Sequence, residues 1–116
     1  MNCNELSEIH IGDRSFYWYE SLELKNLPSL TVLEMGRASF CNCHWIVVEN
    51  LNRLQSITLA LWALHGGHRI ESNELIMKNL PSLTLFKGDT WNFNRIQKMS
   101  IKNIPSLTSE GIQMKG

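Results

Sequence analysis

Apolar residues recur along this chain as short pairs separated by one position, and the pairs fall into two alternating sets. The first is Ile9/Ile11, Leu33/Met35, Ile57/Leu59 and, less cleanly, Phe86/Gly88; the second is Leu22/Leu24, Ile46/Val48, Leu75/Met77 and Met99/Ile101. Alternate side chains of an extended segment point the same way, so each pair predicts a short strand with one buried face. Successive pairs start 13, 11, 13, 11, 18, 11 and 13 residues apart. Antiparallel hairpins give similar spacings, but they do not require the same side chain at the same phase in every second strand. Stacked coils do. Helix fits poorly, because helical apolar spacing is not sustained outside Leu51 to Leu64 and prolines interrupt the rest.

The same period is written in the residues themselves. Lys25-Asn26-Leu27-Pro28-Ser29-Leu30-Thr31 returns as Lys78-Asn79-Leu80-Pro81-Ser82-Leu83-Thr84 and again as Lys102-Asn103-Ile104-Pro105-Ser106-Leu107-Thr108. A degraded copy, Glu49-Asn50-Leu51-Asn52-Arg53-Leu54, completes the series, so Asn26, Asn50, Asn79 and Asn103 are spaced by 24, 29 and 24. Ile9 to Phe16 likewise returns in outline as Leu33 to Phe40, 24 residues on. The five extra residues fall in the long interval between Leu59 and Leu75, and His65 to Asn73 reads as a protruding loop. Pro28, Pro81 and Pro105 should end the second strand of each coil and start a corner, since proline fixes its own φ and pushes the residue before it to extended geometry. The Asn before each corner can bond backbone groups left unpaired there, and Asn residues one coil apart can stack into a ladder.

These residues resemble the leucine-rich-repeat family. Its L-x-x-L-x-x-L-x-L template and the apolar residue beyond it are met by Leu27, Leu30, Leu33, Met35 and Phe40, by Leu51, Leu54, Ile57, Leu59 and Leu64, and by Leu80, Leu83, Phe86 and Phe93. The similarity covers about residues 6 to 112, and Met35 to Cys43 looks like the BspA-like subgroup, in which Gly, a small residue, Phe and a later Cys mark each turn. Arg14, Ala38, Trp62 and Trp91 stand where the family usually has Asn, and Gly88 stands where it has a core aliphatic. The resemblance therefore implies that the hydrogen-bonded Asn turn has moved to the second strand. It also implies a mainly β solenoid of about four and a half coils, with two short parallel sheets and little helix, acting as a binding scaffold.

One coil cannot bury its apolar rows alone, because its inner side chains have neighbours only in the coils above and below. A buried Leu or Ile contributes about 1.5–3 kcal/mol, so ordering is offset only when about three or more coils stack. Leu6 to Ile9 already reads as mid-repeat and Ile104 to Ile112 begins a new coil. Residues 1–116 are thus expected to form a single array, a segment of a longer one without clear caps, whose open coils allow end-to-end self-association.

Composition narrows the function classes. Eleven basic and eleven acidic residues cancel, and no basic stripe with interleaved aromatics appears, so nucleic acid is not an expected partner. The apolar runs, such as Trp45 to Val48 and Leu59 to Leu64, fall far short of the roughly 20 residues of a spanning helix, so membrane insertion is not expected. Cys3, Cys41 and Cys43 are an odd number at spacings unlike a disulfide framework, which favours reduced thiols and a reducing compartment. Cys41-Asn42-Cys43-His44 invites a zinc reading, with His10, His65 and His68 elsewhere, but a second ligand pair is missing. Cys43 shares its phase with Tyr19 and Ile96, as a packed core thiol would. Cys41 with His44 or His65 is the one nucleophile–base pair worth naming, and no orienting acid accompanies it. No catalytic residue, metal site or cofactor is therefore expected.

What remains is binding. Glu8, His10, Val32, Glu34, Ser56, Thr58, Leu85 and Lys87 should point outward from the first strand set, and His65, His68 and Arg69 mark the loop. A protein partner on that face or loop is the leading expectation, with a spacer segment that has no ligand of its own as the alternative. Trp18, Trp45, Trp62 and Trp91 are either interaction anchors or an aromatic row along a turn, Trp62 and Trp91 sharing one phase.

Overall fold

The computed structural model describes residues 4–66 and 73–115. Among the described residues nine strands follow one another: β1 (Glu8–Ile11), β2 (Ser21–Lys25), β3 (Val32–Met35), β4 (Trp45–Glu49), β5 (Ser56–Leu59), β6 (Glu74–Lys78), β7 (Leu85–Lys87), β8 (Lys98–Lys102) and β9 (Ile112–Gln113). Odd strands pair in the order β1-β3-β5-β7-β9 and even strands in the order β2-β4-β6-β8. Every pairing is parallel, so the chain is a mainly β solenoid of about four turns with two sheets. Among the described residues the one helical piece is a single 3-10 turn, Ser109–Gly111, and no helix is long and apolar enough to cross a membrane.

The register reproduces the sequence period. Ile9 pairs with Leu33, Leu33 with Ile57, Ile57 with Phe86 and Phe86 with Ile112, while Leu22, Ile46, Leu75 and Met99 run in line through the other sheet. Leu27, Leu51 and Leu80 belong to the same core, with Leu30, Leu54 and Leu83 packed beside them. Gly88 stands in the core row of Met35 and Leu59, and the space its missing side chain leaves is taken by the Met114 thioether. Burial fades toward the ends of the stack. Ile46 and Leu75 are fully covered, whereas Met99 and Ile101 of β8, with no coil over them, are 52% and 56% exposed. The five-residue step is absorbed between Gly66, whose N–H donates to the Cys41 carbonyl, and Glu74, whose N–H donates to the His44 carbonyl. Most of the loop expected there, including His68 and Arg69, lies outside the described residues, as does Cys3.

Each residue of the Asn-Leu-Pro-Ser-Leu-Thr block has a mechanical duty. Pro28 and Ser29 form the middle of a turn closed by the Leu30 N–H donating to the Leu27 carbonyl at 3.3 Å, and the same closure recurs at Leu54, Leu83 and Leu107. Serine hydroxyls tie three of these four corners to the coil before: Ser29 donates to the Asn4 carbonyl at 2.5 Å, Ser82 to Asn52 at 2.7 Å and Ser106 to Pro81 at 2.6 Å. Thr31 and Thr84 donate to the Ser7 and Gln55 carbonyls at 3.0 and 3.4 Å. Three of the four asparagines form the expected ladder: Asn79 Nδ2 donates to Asn50 Oδ1 and Asn103 Nδ2 to Asn79 Oδ1, each at 2.9 Å, while Asn26 shares the backbone conformation but not the side-chain bond. All four, Asn26 included, sit at φ between 55° and 57°, the left-handed region that Asn tolerates better than most residues.

The opposite corner solves the same problem with unsuited residues. Arg14, Ala38, Trp62 and Trp91 have φ of 58°, 56°, 68° and 70°, and Phe16, Phe40, Leu64 and Phe93 follow at 55°, 48°, 53° and 56°. Such backbone costs on the order of 1–2 kcal/mol per residue for a side chain with a Cβ. It persists because it turns peptide groups along the solenoid axis, where they bond the neighbouring coil. The Arg14 N–H donates to the Arg37 carbonyl at 2.7 Å, Ala38 to Leu61 at 2.8 Å and Trp62 to Thr90 at 3.2 Å, while Phe40, Leu64 and Phe93 donate back to the coil before.

Candidate functional site

The outward rows of the five-stranded sheet form one continuous surface. Parallel register places Glu8, Val32, Ser56 and Leu85 in one row and His10, Glu34, Thr58 and Lys87 in the next. All eight are exposed or half-buried, so the structure brings together every residue chosen for this face. Its electrostatics run from one end to the other. His10 sits between two carboxylates, with Nε2 2.7 Å from Glu8 Oε1 and Nδ1 3.2 Å from Glu34 Oε1. The hydrogen bond to Glu8 raises the imidazole above its usual value, outweighing desolvation, which lowers it, and the charges of Glu34 and Glu8 add to the rise. The face is thus acidic over β1 and β3, neutral at Thr58 and basic at Lys87.

The loop residue His65 is placed differently from the others. Its ring is buried and stacks on Trp62 at 5.1 Å, and Trp62 in turn stacks on Trp91 at 5.6 Å. Trp62 and Trp91 are therefore an aromatic row along the outside of the turn, 39% and 47% exposed, whereas Trp18 packs edge-on to Tyr17 and Trp45 opens β4.

Beside that row lies a hollow of about 920 Å³. Asp13, Arg14, Tyr17 and Trp18 line it from the first coil, Arg37, Ala38 and Cys41 from the second, and Leu61 and Trp62 from the third. Reading Arg14, Ala38, Trp62 and Trp91 only as departures from a repeat template missed this hollow. The available signal was the one small residue in a row of large ones.

The thiols are set in packing. Cys41 and Cys43 are both buried, and burial pushes the Cys43 thiol up to about 12 although its S–H points at the Trp45 carbonyl 3.4 Å away. Burial also raises Cys41, partly opposed by the Tyr17 hydroxyl. Cys43 lies wholly in the core, and Cys41, although it lines the hollow with Arg14 and Arg37, is only 3% exposed and its thiol is held up by burial, so neither has the exposure of a reactive thiolate. Both are expected to resist alkylation by iodoacetamide at pH 8 and to label only after denaturation; labelling of either thiol as fast as a free cysteine would restore a thiol chemistry. The fold favours the neutral Cys43 thiol, so that contribution to stability is whole below the ordinary thiol range and is lost as pH rises toward 12. Among the described residues no three His, Cys, Asp or Glu side chains converge as a metal would require.

Comparison with protein-family models, curated proteins and solved structures found no match to this chain.

Proposed function

We propose that this chain is a non-enzymatic protein-interaction scaffold of the leucine-rich-repeat type, with BspA-like turns, and that its partner docks on the outer face of the five-stranded sheet. The observation that carries this is the ordered charge on that face. Glu8 and Glu34 flank His10 at one end and Lys87 stands at the other, on strands held in fixed parallel register. A rigid array presents such a gradient without ordering cost at the moment of binding, and complementary charge governs encounter rate and register more than raw affinity. The partner that fits is a protein segment with basic residues over β1 and β3 and an acidic residue over β7.

The test immobilises the chain, the double variant Glu8→Lys/Glu34→Lys, and the control Glu23→Lys on the other sheet. A protein held by the native chain and the control but released by the double variant supports the reading. Its retention should weaken as pH falls through the raised range of His10, because the protonated ring places a positive charge between the two carboxylates. A set of bound proteins that is identical for all three baits, or empty, would leave the chain a spacer with no ligand of its own.

A further inference from the structure

We propose that the hollow on the turn edge is a binding site for a flat aromatic anion, a ring system carrying a phosphate or a carboxylate, and that Ala38 creates it by leaving one place open in a row of large side chains. Arg14, Ala38, Trp62 and Trp91 share one backbone conformation, so their side chains leave successive coils in parallel. Where adjacent members are large they stack, as Trp62 and Trp91 do with planes 26° apart. Ala38 interrupts the series. Arg14 and Trp62, on either side of it, are two strand spacings apart, about 9.5 Å. One ring centred in that gap lies about 4.7 Å from each neighbour, nearer than the 5.6 Å between the Trp62 and Trp91 rings, with a guanidinium on one side and an indole on the other.

The charge calls for an anion. Arg14 and Arg37 both line the hollow, and among the described residues neither is ion-paired with a carboxylate. Asp13 lines it too, but its Oδ1 accepts the Arg37 backbone N–H at 2.7 Å and so serves the turn. Two guanidiniums against one carboxylate leave the site positive, and the guanidinium fork suits phosphate and carboxylate oxygens. The outer wall is Trp18, 77% exposed beside Tyr17, an open indole that a bound ring would cover. A cationic ligand meets the repulsion of both guanidiniums, and a purely aliphatic one uses neither the guanidinium fork nor the flat stacking faces. The site lies on the turn edge, away from the sheet face, and does not rest on the scaffold reading.

The test titrates the whole chain with adenosine monophosphate, indole acetate, adenosine and inorganic phosphate, followed by calorimetry and by the amide and indole signals of Arg14, Ala38 and Trp62. At least one aromatic anion should bind more tightly, by about tenfold or more, than either adenosine or phosphate, and the tighter of the two identifies the anionic group. Ala38→Trp should abolish that binding while leaving the melting curve in place, because Trp62 and Trp91 already occupy the equivalent position at φ of 68° and 70°. Arg14→Gln/Arg37→Gln should weaken the anions and leave adenosine unchanged. Saturation by neither aromatic anion at millimolar concentration, equal affinity for phosphate alone, or native affinity in Ala38→Trp would overturn the proposal.

Discussion

Replacing Leu51 by Ala is expected to destabilise the fold by about 3–5 kcal/mol, lowering the midpoint of thermal unfolding by something on the order of 10–20 °C. Leu51 is fully buried between the coils that carry Leu27 and Leu80. Its loss removes the transfer free energy of the side chain and leaves a cavity whose lining belongs to three coils. Two strand ladders hold those coils at fixed spacing, and the Asn50–Asn79 rung adds a tie between two of them, so the site has little freedom to collapse. Position along the stack matters as much as chemistry, since an interior coil is held through two interfaces and an end coil through one. Met99→Ala is the control. It removes a comparable apolar group from the row of Leu22, Ile46 and Leu75, but at a place 52% exposed, and should change stability by less than about 1 kcal/mol. Equal losses for the two variants in denaturant titration would mean that stacking is not what holds the chain together.

Much of this arrangement was legible because the repeat ties sequence phase to place. Once Asn26, Asn50, Asn79 and Asn103 are aligned, every residue a period apart must share an environment, and the strand pairs, the core rows and the outward face follow from that constraint. The serine ties were not legible. Ser29, Ser82 and Ser106 recur in the block, but a serine after proline is an ordinary turn residue, and only the observed donation to the preceding coil shows why it repeats. The left-handed corner at Arg14, Ala38, Trp62 and Trp91 was hidden for the opposite reason. Its residue types argue against that conformation, and the coil-to-coil hydrogen bonds that impose it have no counterpart in local propensity. Asn92 shows the same limit. It stands in the row of Ser15, Ser39 and Ala63, yet its Nδ2 bridges the Ala60 and Ala63 carbonyls at 2.8 and 3.0 Å and its Oδ1 accepts the Asp89 N–H at 2.6 Å. The hollow escaped notice because an alanine in a turn announces nothing until its neighbours along the stack are known to be arginine and tryptophan.

The Asn ladder provides the second large expected effect, and its two contributions can be separated. Asn79 holds φ at 56°, gives a hydrogen bond to Asn50 and takes one from Asn103. Asn79→Ala loses both bonds, worth about 0.5–1.5 kcal/mol each and near the low end at this exposed edge, and also places an ordinary Cβ in left-handed backbone at about 1–2 kcal/mol. The sum is about 2–4 kcal/mol. Asn79→Gly loses the same bonds but accepts the backbone without strain, so it should cost less, about 1–2 kcal/mol, most of it the ladder with a smaller part from added freedom in the unfolded chain. Urea titration of the three proteins reads the difference directly, since the native surface and hence the slope stay the same. An alanine variant no worse than the glycine variant would show that the left-handed corner is carried by the coil-to-coil backbone bonds alone. A glycine variant as stable as the native chain would reduce the ladder to a geometric coincidence of stacked turns. Neither is expected, because Asn is the only residue type in the block whose side chain both suits the left-handed corner and carries a donor and an acceptor along the axis of the stack.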